Sequence, residues 1–345
     1  MDNSKTFVAA VVQAAPVFLD KQASIAKACD LILEASKTGA DIIALPEVFI
    51  SGYPYWLWFK SIADGTPYSI RLFESSIQVP GPETEALGRA ARKAEAYVVI
   101  GVNEVDNKAL YNTLLFFDRS GALIGKRRKL KATYAEKIIW ADGDASTHEV
   151  YSTDFGVLSG LICGEHAMAL PGFSLSAMGE QVHVSSWVGF SSCLAQDRRD
   201  AFRTLSEVAS KFHAVSFQSA VLCTQSLVDE YTLEVMGHPP EMEVGGGWSA
   251  IIAPGSGKVL AGPLIDDEGI ISAEVNLRDA IPYYINRDVT AQYWSPYFNL
   301  SVDRTPHTSH RSKDATPRTT QKMEPLSREQ DTSAETAETA MADER

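Results

Sequence analysis

No stretch of this 345-residue chain approaches the roughly 18 consecutive apolar residues that would span a bilayer, so no membrane association is expected. Cations are in deficit. Against 44 Asp and Glu stand 31 Lys and Arg, a formal charge of −13, whereas nucleic-acid binding needs clustered Lys and Arg. Cysteine is scarce: Cys29, Cys163, Cys193 and Cys223 follow no framework spacing, so reduced thiols are expected rather than disulfides. The segment Met1-Asp-Asn-Ser-Lys-Thr-Phe7 is polar where a secretory signal would be apolar, which points to the cytoplasm. No Cys-x-x-Cys or His-x-x-x-His spacing suggests a metal site. Gly245-Gly-Gly247 lacks the lysine and the strand-to-helix setting of a phosphate loop. No metal or organic cofactor is therefore expected.

What remains is an ordinary globular composition, 45% hydrophobic and 22% charged, enough for a sizeable core. Strand and helix patterns alternate along it. Phe7–Gln13 reads as a strand, Gln22–Ser36 as a helix, Asp41–Leu45 as a strand, Glu83–Ala96 as a helix and Tyr97–Val102 as a strand. Tyr111–Asp118 and Ala122–Lys126 read as a hairpin across Arg119-Ser-Gly121. Beyond a long charged segment, Arg127–Thr153, come strand Gly156–Ile162, helix His166–Met178, strand Gln181–Ser186, helix Leu194–Lys211 and strand Ala214–Ser219. Strands Trp248–Ala253, Lys258–Ala261 and Gly269–Val275 close the pattern. This alternation predicts one α/β domain with covered sheets over residues 1–303. Residues 304–345, rich in Thr, Ser, Pro, Glu and Arg, read as a disordered tail.

Three segments carry chemistry. In Gly156-Val-Leu-Ser-Gly-Leu-Ile-Cys163-Gly-Glu-His166 an apolar strand ends abruptly at a thiol. A free cysteine is commonly a small buried hydrophobe, but a thiol at a strand mouth beside a glycine can also be presented as a nucleophile. In Ile42-Ile-Ala-Leu-Pro46-Glu47 another apolar strand runs into a carboxylate, followed by the aromatic Phe49, Tyr53, Tyr55, Trp56 and Trp58. Glu47 could equally cap a helix. In Gly125-Lys-Arg-Arg-Lys129, continuing through Thr133 and Glu136 to Trp140, several cations lie beside one carboxylate. Alone, such a run is usually a solvated face.

Together the three segments resemble the nitrilase superfamily of carbon–nitrogen hydrolases, which use a Glu-Lys-Cys triad. Leu45-Pro46-Glu47 with Gly52-Tyr53-Pro54 is similar to its glutamate motif, Arg128-Lys129-Leu130 with Thr133, Glu136 and Trp140 to its lysine motif, and Cys163-Gly-Glu165 to its cysteine motif. The likeness extends through Val182–Trp187 and the glycine-rich strand near Gly247–Gly255, covering about residues 5–300. The aromatic Gly52-Tyr-Pro segment, Glu136 to Trp140, and Trp187 are most like the true nitrilases. The chain departs from the pattern at Cys163-Gly164-Glu165-His166, where many nitrilases carry Cys-Trp-Glu-Asn, and at Lys131-Ala132, where a proline is usual.

The resemblance implies a four-layer α-β-β-α sandwich that pairs through helices near 166–178 and 194–211, with homodimers building larger homo-oligomers or spirals. It implies that a small-molecule nitrile and water give a carboxylic acid and ammonia. Glu47 would be the general base, Lys129 the electrophilic partner, Cys163 the nucleophile, and Glu136 the group that holds Lys129. Tyr53, Trp187, Gly164 and His166 would contact substrate, Gly164 leaving room beside the thiol. Glu165 reads as a turn stabiliser, and a Cys163–His166 dyad is disfavoured because residues three apart across a sharp turn need not face each other. The same triad would serve an amidase, an N-carbamoyl hydrolase or a cyanide hydratase. A non-catalytic scaffold of the same fold is the rival from another class.

Overall fold

The computed structural model describes residues 6–190, 196–287 and 301–306. Strand β1 (Thr6–Gln13) alternates with a period of two. Its Ala9 and Val11 face one apolar cluster, while Ala10 and Val12 face another. Helix α1 (Lys21–Ser36) starts where the Asp20 side chain accepts the Ala23 N–H, a side-chain cap on an otherwise orphaned donor. Next come β2 (Ile42–Ala44), α2 (Ile62–Glu74), α3 (Pro82–Ala94), β3 (Tyr97–Asp106), β4 (Ala109–Phe117) and β5 (Leu123–Arg128). The second half holds β6 (Tyr151–Ser152), β7 (Val157–Ile162), α4 (Ala169–Ala177), β8 (Val182–Trp187), α5 (Gln196–Ser216) and β9 (Ala220–Gln225). It ends with α6 (Glu230–Met236), β10 (Ser249–Ile252), β11 (Val259–Leu264), β12 (Gly269–Asn276) and α7 (Ile281–Arg287).

The strands form two six-stranded sheets, ordered β12-β1-β2-β3-β4-β5 and β11-β10-β9-β8-β7-β6. Each has a parallel centre, β1-β2-β3 or β7-β8-β9, flanked by antiparallel strands. The sheets pack face to face through Ala9, Val11, Ala44 and Leu114 on one side and Leu158, Ile162, Val184 and Leu222 on the other. Helices α1 and α3 cover the outer face of the first sheet, and α5 covers that of the second. This is the expected four-layer α/β sandwich.

The structure corrects two elements. The first half of the expected strand Ala214–Ser219 is the end of α5, the second half connects to the next element, and the strand lies at β9. The β-branched and aromatic Val215 and Phe217 favour a strand locally, but buried His213 and Ala214 lock the last turn of α5 to the sheet, and tertiary packing overrides propensity. The expected helix His166–Met178 is split into a 3-10 turn, Cys163–Ala167, and α4. Cys193 and the tail from residue 307 lie outside the described residues. Among the described residues no helix is long and apolar enough to cross a membrane.

Candidate active site

Strand ends deliver the three motif residues. Past β2, the chain continues along β3: Leu45 N–H donates to Val99 O (2.8 Å) and Gly101 N–H to Pro46 O (3.0 Å). A Cβ at Gly101 would lie 2.6 Å from Glu47 Cα and 2.3 Å from Val48 N, so this approach requires glycine. Glu47 is thereby buried. Its Oε1 accepts from Asn112 Nδ2 on β4 (2.6 Å) and from Lys129 Nζ (3.4 Å). Its Oε2 has no hydrogen-bond partner among the described residues. Burial pushes the Glu47 carboxyl up to about 7; the Lys129 charge opposes the shift and the Glu136 charge adds to it.

The basic run around Lys129 is no solvated face. The two-residue period of β5 buries Arg127 and Lys129 and leaves Arg128 half-buried. The cations are paired with carboxylates: Arg127 with Glu165 (2.9 Å), Lys126 and Arg128 both with Glu104, Arg128 also with Asp106 (2.6 Å), and Lys131 with Asp142 (2.7 Å). Lys129 Nζ donates to Glu136 Oε2 at 2.7 Å. Burial disfavours the Lys129 ammonium, but Glu47 and Glu136 outweigh that and hold it above the usual range. Glu136 sits on a 3-10 turn, Tyr134–Ile138. Its Oε2 also accepts the Thr133 N–H (2.8 Å), and its Oε1 accepts the Tyr53 hydroxyl (3.0 Å). Tyr53 in turn receives the Trp58 indole N–H (3.0 Å).

Cys163 opens the turn after β7 with φ of +48°, a left-handed conformation that costs a non-glycine residue on the order of 1 kcal/mol or more. The thiol is buried. Burial and the negative charge of Glu47 push it well above the usual thiol range, while Lys129 and the Gly164 N–H pull the other way. The resting sulfur is protonated. Glu165 ties this turn to the lysine segment: Oε2 accepts the Ile162 N–H (2.9 Å), and Oε1 accepts the Leu130 N–H (2.8 Å) and the Arg127 guanidinium (2.9 Å).

Glu47, Lys129, Glu136 and Tyr53 are thus joined by hydrogen bonds, and the charges of the first three act on Cys163. Other expected site residues are placed differently. His166 is turned inward, away from the expected substrate contact: Nδ1 faces Cys163 O (2.9 Å) and Nε2 faces His183 Nε2 (3.0 Å). Both ring nitrogens are engaged inside the protein, so no Cys–His dyad forms. Gly164 is half-buried, and a Cβ there would meet only the Thr133 side chain, with Oγ1 at 3.0 Å. Trp187 is fully buried, stacked on His166 with centroids 5.1 Å apart, and its indole N–H donates to Ser185 Oγ (2.7 Å). The aromatic wall near Tyr53 comes instead from Trp140 and Phe190, at centroid distances of 5.6 and 5.8 Å.

Sequence reading missed Asn112, which orients Glu47, and Asn103, which holds the Tyr53 loop through Ile50 O (3.0 Å) and Gly52 O (2.9 Å) and receives the Trp140 indole N–H (3.0 Å). It also missed Glu180, His183 and His213 behind the cysteine turn. A signal was present: Ser159 interrupts the apolar strand β7, and His183, Ser185 and Ser186 interrupt β8.

The family model described as carbon–nitrogen hydrolase matches residues 8–284. A nitrilase of Bacillus sp. (strain OxB-1) is 40% identical over 311 residues, covering 88% of this chain and 90% of that protein. An aliphatic nitrilase of Rhodococcus rhodochrous is 34% identical over 333 residues, 92% of this chain and 90% of its own. Among solved structures, a carbon–nitrogen hydrolase from Helicobacter pylori superposes with a TM-score of 0.70 at 19% identity, over 84% of this chain and 95% of that one. With the fold and all three motif residues in place, the chain belongs to the carbon–nitrogen hydrolase family, on its nitrilase branch.

Proposed function

We propose that this chain hydrolyses an organic nitrile to the carboxylic acid and ammonia, with Cys163 as nucleophile, Glu47 as general base and Lys129 as electrophilic partner. The observation that carries the residue roles is the free Oε2 of Glu47, a buried carboxylate oxygen with a carboxyl near neutrality in the electrostatic reach of a protonated thiol. Moving the thiol proton to Glu47 as sulfur attacks leaves the net charge of the buried cluster unchanged. That avoids making a second uncompensated anion in a low-dielectric site.

Attack of sulfur on the nitrile carbon gives a covalent thioimidate whose nitrogen takes a proton. Lys129, held by Glu136, stabilises the charge that develops on nitrogen or oxygen. The Gly164 N–H supplies a second donor, and one such donor is worth about 3 kcal/mol in the transition state. Water activated by Glu47 adds to the thioimidate, and ammonia leaves a thioester. A second water opens the thioester to the acid and returns the proton to sulfur. Early departure of the thiol would give the amide instead. Tyr53 with Trp140, Phe190 and Trp58 supplies the aromatic wall proposed to take the substrate.

The finer assignments rest on separate support. The described cysteines Cys29, Cys163 and Cys223 are free thiols, which supports a reducing cytoplasm. Helices α4 and α5 expose Leu170, Leu205, Val208 and Phe212, which supports pairing through them into a homo-oligomer.

Cys163→Ala should abolish ammonia release from a panel of aliphatic, aryl and arylaceto nitriles while the protein stays folded by circular dichroism. A slow nitrile should leave a covalent adduct on Cys163 of the wild type by mass spectrometry. Turnover of matching amides in preference to nitriles would overturn the nitrile assignment, and undiminished turnover by the variant would overturn the nucleophile.

A further inference from the structure

Behind the nucleophile lies a buried polar row that the chemistry above does not use. His166 Nδ1 faces Cys163 O at 2.9 Å, His166 Nε2 faces His183 Nε2 at 3.0 Å, and His183 Nδ1 faces Glu180 Oε1 at 2.7 Å. His213 Nε2 on α5 reaches Glu180 Oε2 at 2.7 Å. All four side chains are buried. Donor atoms of Glu180, His183 and His213 lie within 4.8 Å of one another, close enough for an ion. The rings of His183 and His213, however, are stacked 3.5 Å apart at 24°. Lone pairs lie in the ring planes, so near-parallel stacked imidazoles do not aim at one point, and 2.7 Å is a hydrogen-bond spacing.

The proton count fixes the direction of the row. A carbonyl oxygen only accepts, so His166 must carry its proton on Nδ1. Burial, with His183 and His213 adding, holds His166 well below the usual imidazole range; the ring is neutral and its Nε2 accepts. His183 therefore donates through Nε2. Its Nδ1 contact with Glu180 needs a further proton between ring and carboxylate. Burial, with His213 and Arg127, pushes the His183 imidazole down to about 4 against the pull of Glu180, and the two imidazoles that Glu180 faces pull its carboxyl below the usual range although burial alone would raise it.

The carbonyl that His166 grips and the N–H of Gly164 belong to one peptide unit, and that N–H favours the ionised form of the Cys163 thiol. We propose that His166 is a positioning residue: Glu180 and His183 lock it as an Nδ1–H donor, and it fixes the Cys163–Gly164 peptide with its N–H facing the reacting sulfur. A bond accepted at the carbonyl strengthens the N–H at the other end of the same amide. It also holds the left-handed conformation of Cys163 in place. The assignment rests on Cys163 being the nucleophile.

The test compares full-length wild type with His166→Asn, His166→Gln and His166→Leu. An Asn amide nitrogen can occupy the place of Nδ1, whereas that of Gln reaches toward Nε2. The wild-type adduct with a slow nitrile is measured first; its absence from Cys163 defeats the proposed function, independently of the variants. With the adduct present, H166Q and H166L should lower kcat about tenfold or more with KM nearly unchanged. Alkylation of Cys163 by iodoacetamide, followed on its peptide by mass spectrometry, should slow in parallel. H166N should stay within about threefold of wild type on both readouts. If H166L does not fold, the H166N and H166Q pair decides. Equal loss in folded H166N and H166Q, or undiminished kcat in H166Q, overturns the proposal. So does stoichiometric zinc in the wild type that is lost in His213→Ala.

Discussion

The two helix–sheet layers of this molecule are built on opposite plans. Over the first sheet, Ala10, Val12, Ile43, Val98 and Ile100 meet Ile25, Ala28 and Ile32 of α1 and Leu87 and Ala91 of α3, an apolar seam. Over the second sheet, Ser159, His183 and Ser185 face Ser206, Ser210 and His213 of α5, all buried. Ser185 Oγ lies 2.9 Å from Ser210 Oγ, and Glu180 joins the two histidines. Helix α5 departs from the plan of α1: Ser206, Ser210 and His213 point in beside Ala209 and Ala214, while Leu205, Val208 and Phe212 are 41%, 58% and 46% exposed. Burying polar groups gains little stability even when all are paired. What a satisfied polar layer does supply is a fixed geometry, and this one ends at the carbonyl of Cys163. The apolar layer holds the fold, and the polar layer aims the nucleophile.

The largest test of that contrast is a matched pair of deletions. Glu180→Leu leaves both His183 and His213 without their carboxylate partner. Breaking a buried pair from one side costs about 3–5 kcal/mol, and kcat of whatever remains folded should fall by about 100-fold or more. Glu180→Gln, which can donate to His183 and accept from His213, should recover most of both. Leu87→Ala in the apolar layer should cost a similar 2–5 kcal/mol yet leave kcat of the folded protein within about twofold. Thermal denaturation and turnover on the three variants read the two effects separately. Equal loss of kcat in E180L and L87A would erase the distinction between the layers.

A second, smaller effect lies in the pH profile. Glu47 must be ionised to take the thiol proton, and burial pushes it up to about 7. The rate should therefore be full above neutrality and be lost as pH falls through about 7. Glu136 raises the Glu47 carboxyl, so Glu136→Gln should move that acidic limb to lower pH while lowering kcat about tenfold or more through Lys129. L87A should leave the limb where it is. An unmoved limb in E136Q would remove Glu47 as the group that sets it.

The site and its scaffold were unequally legible. Apolar strands that stop at Glu47 and Cys163 are plain in the sequence, because an interrupted hydrophobic run marks a strand mouth. Lys129 needed the resemblance, since five cations within six residues, Lys126 to Lys131, read alike until the alternation of β5 sorts them. Asn112 was hidden because an asparagine inside Tyr111–Asp118 looks like a strand residue, and only the pairing of β3 with β4, with the Glu47 segment running along β3, puts it beside Glu47. His166 was read from its distance along the chain to the thiol. Its actual partner, His183, is 17 residues on, brought there by the parallel register of β7 and β8.

The smallest effect on chemistry should come from the outer face of α5. Its exposed Leu205, Val208 and Phe212 recur at helical spacing, on the side away from the buried Ser206, Ala209, Ser210, His213 and Ala214. Val208→Asp places a charge where a second copy of α5 is proposed to pack, and burying an unpaired carboxylate is costly. Sedimentation velocity should show smaller particles for V208D than for wild type. The inner face, and with it the His213–Glu180–His183 row, is untouched, so turnover per chain should change by less than about threefold. A particle size unchanged by V208D would remove α5 from the pairing surface. A collapse of kcat at unchanged size would mean that the two faces of this helix are not independent, and that the outer stripe also serves to aim Cys163.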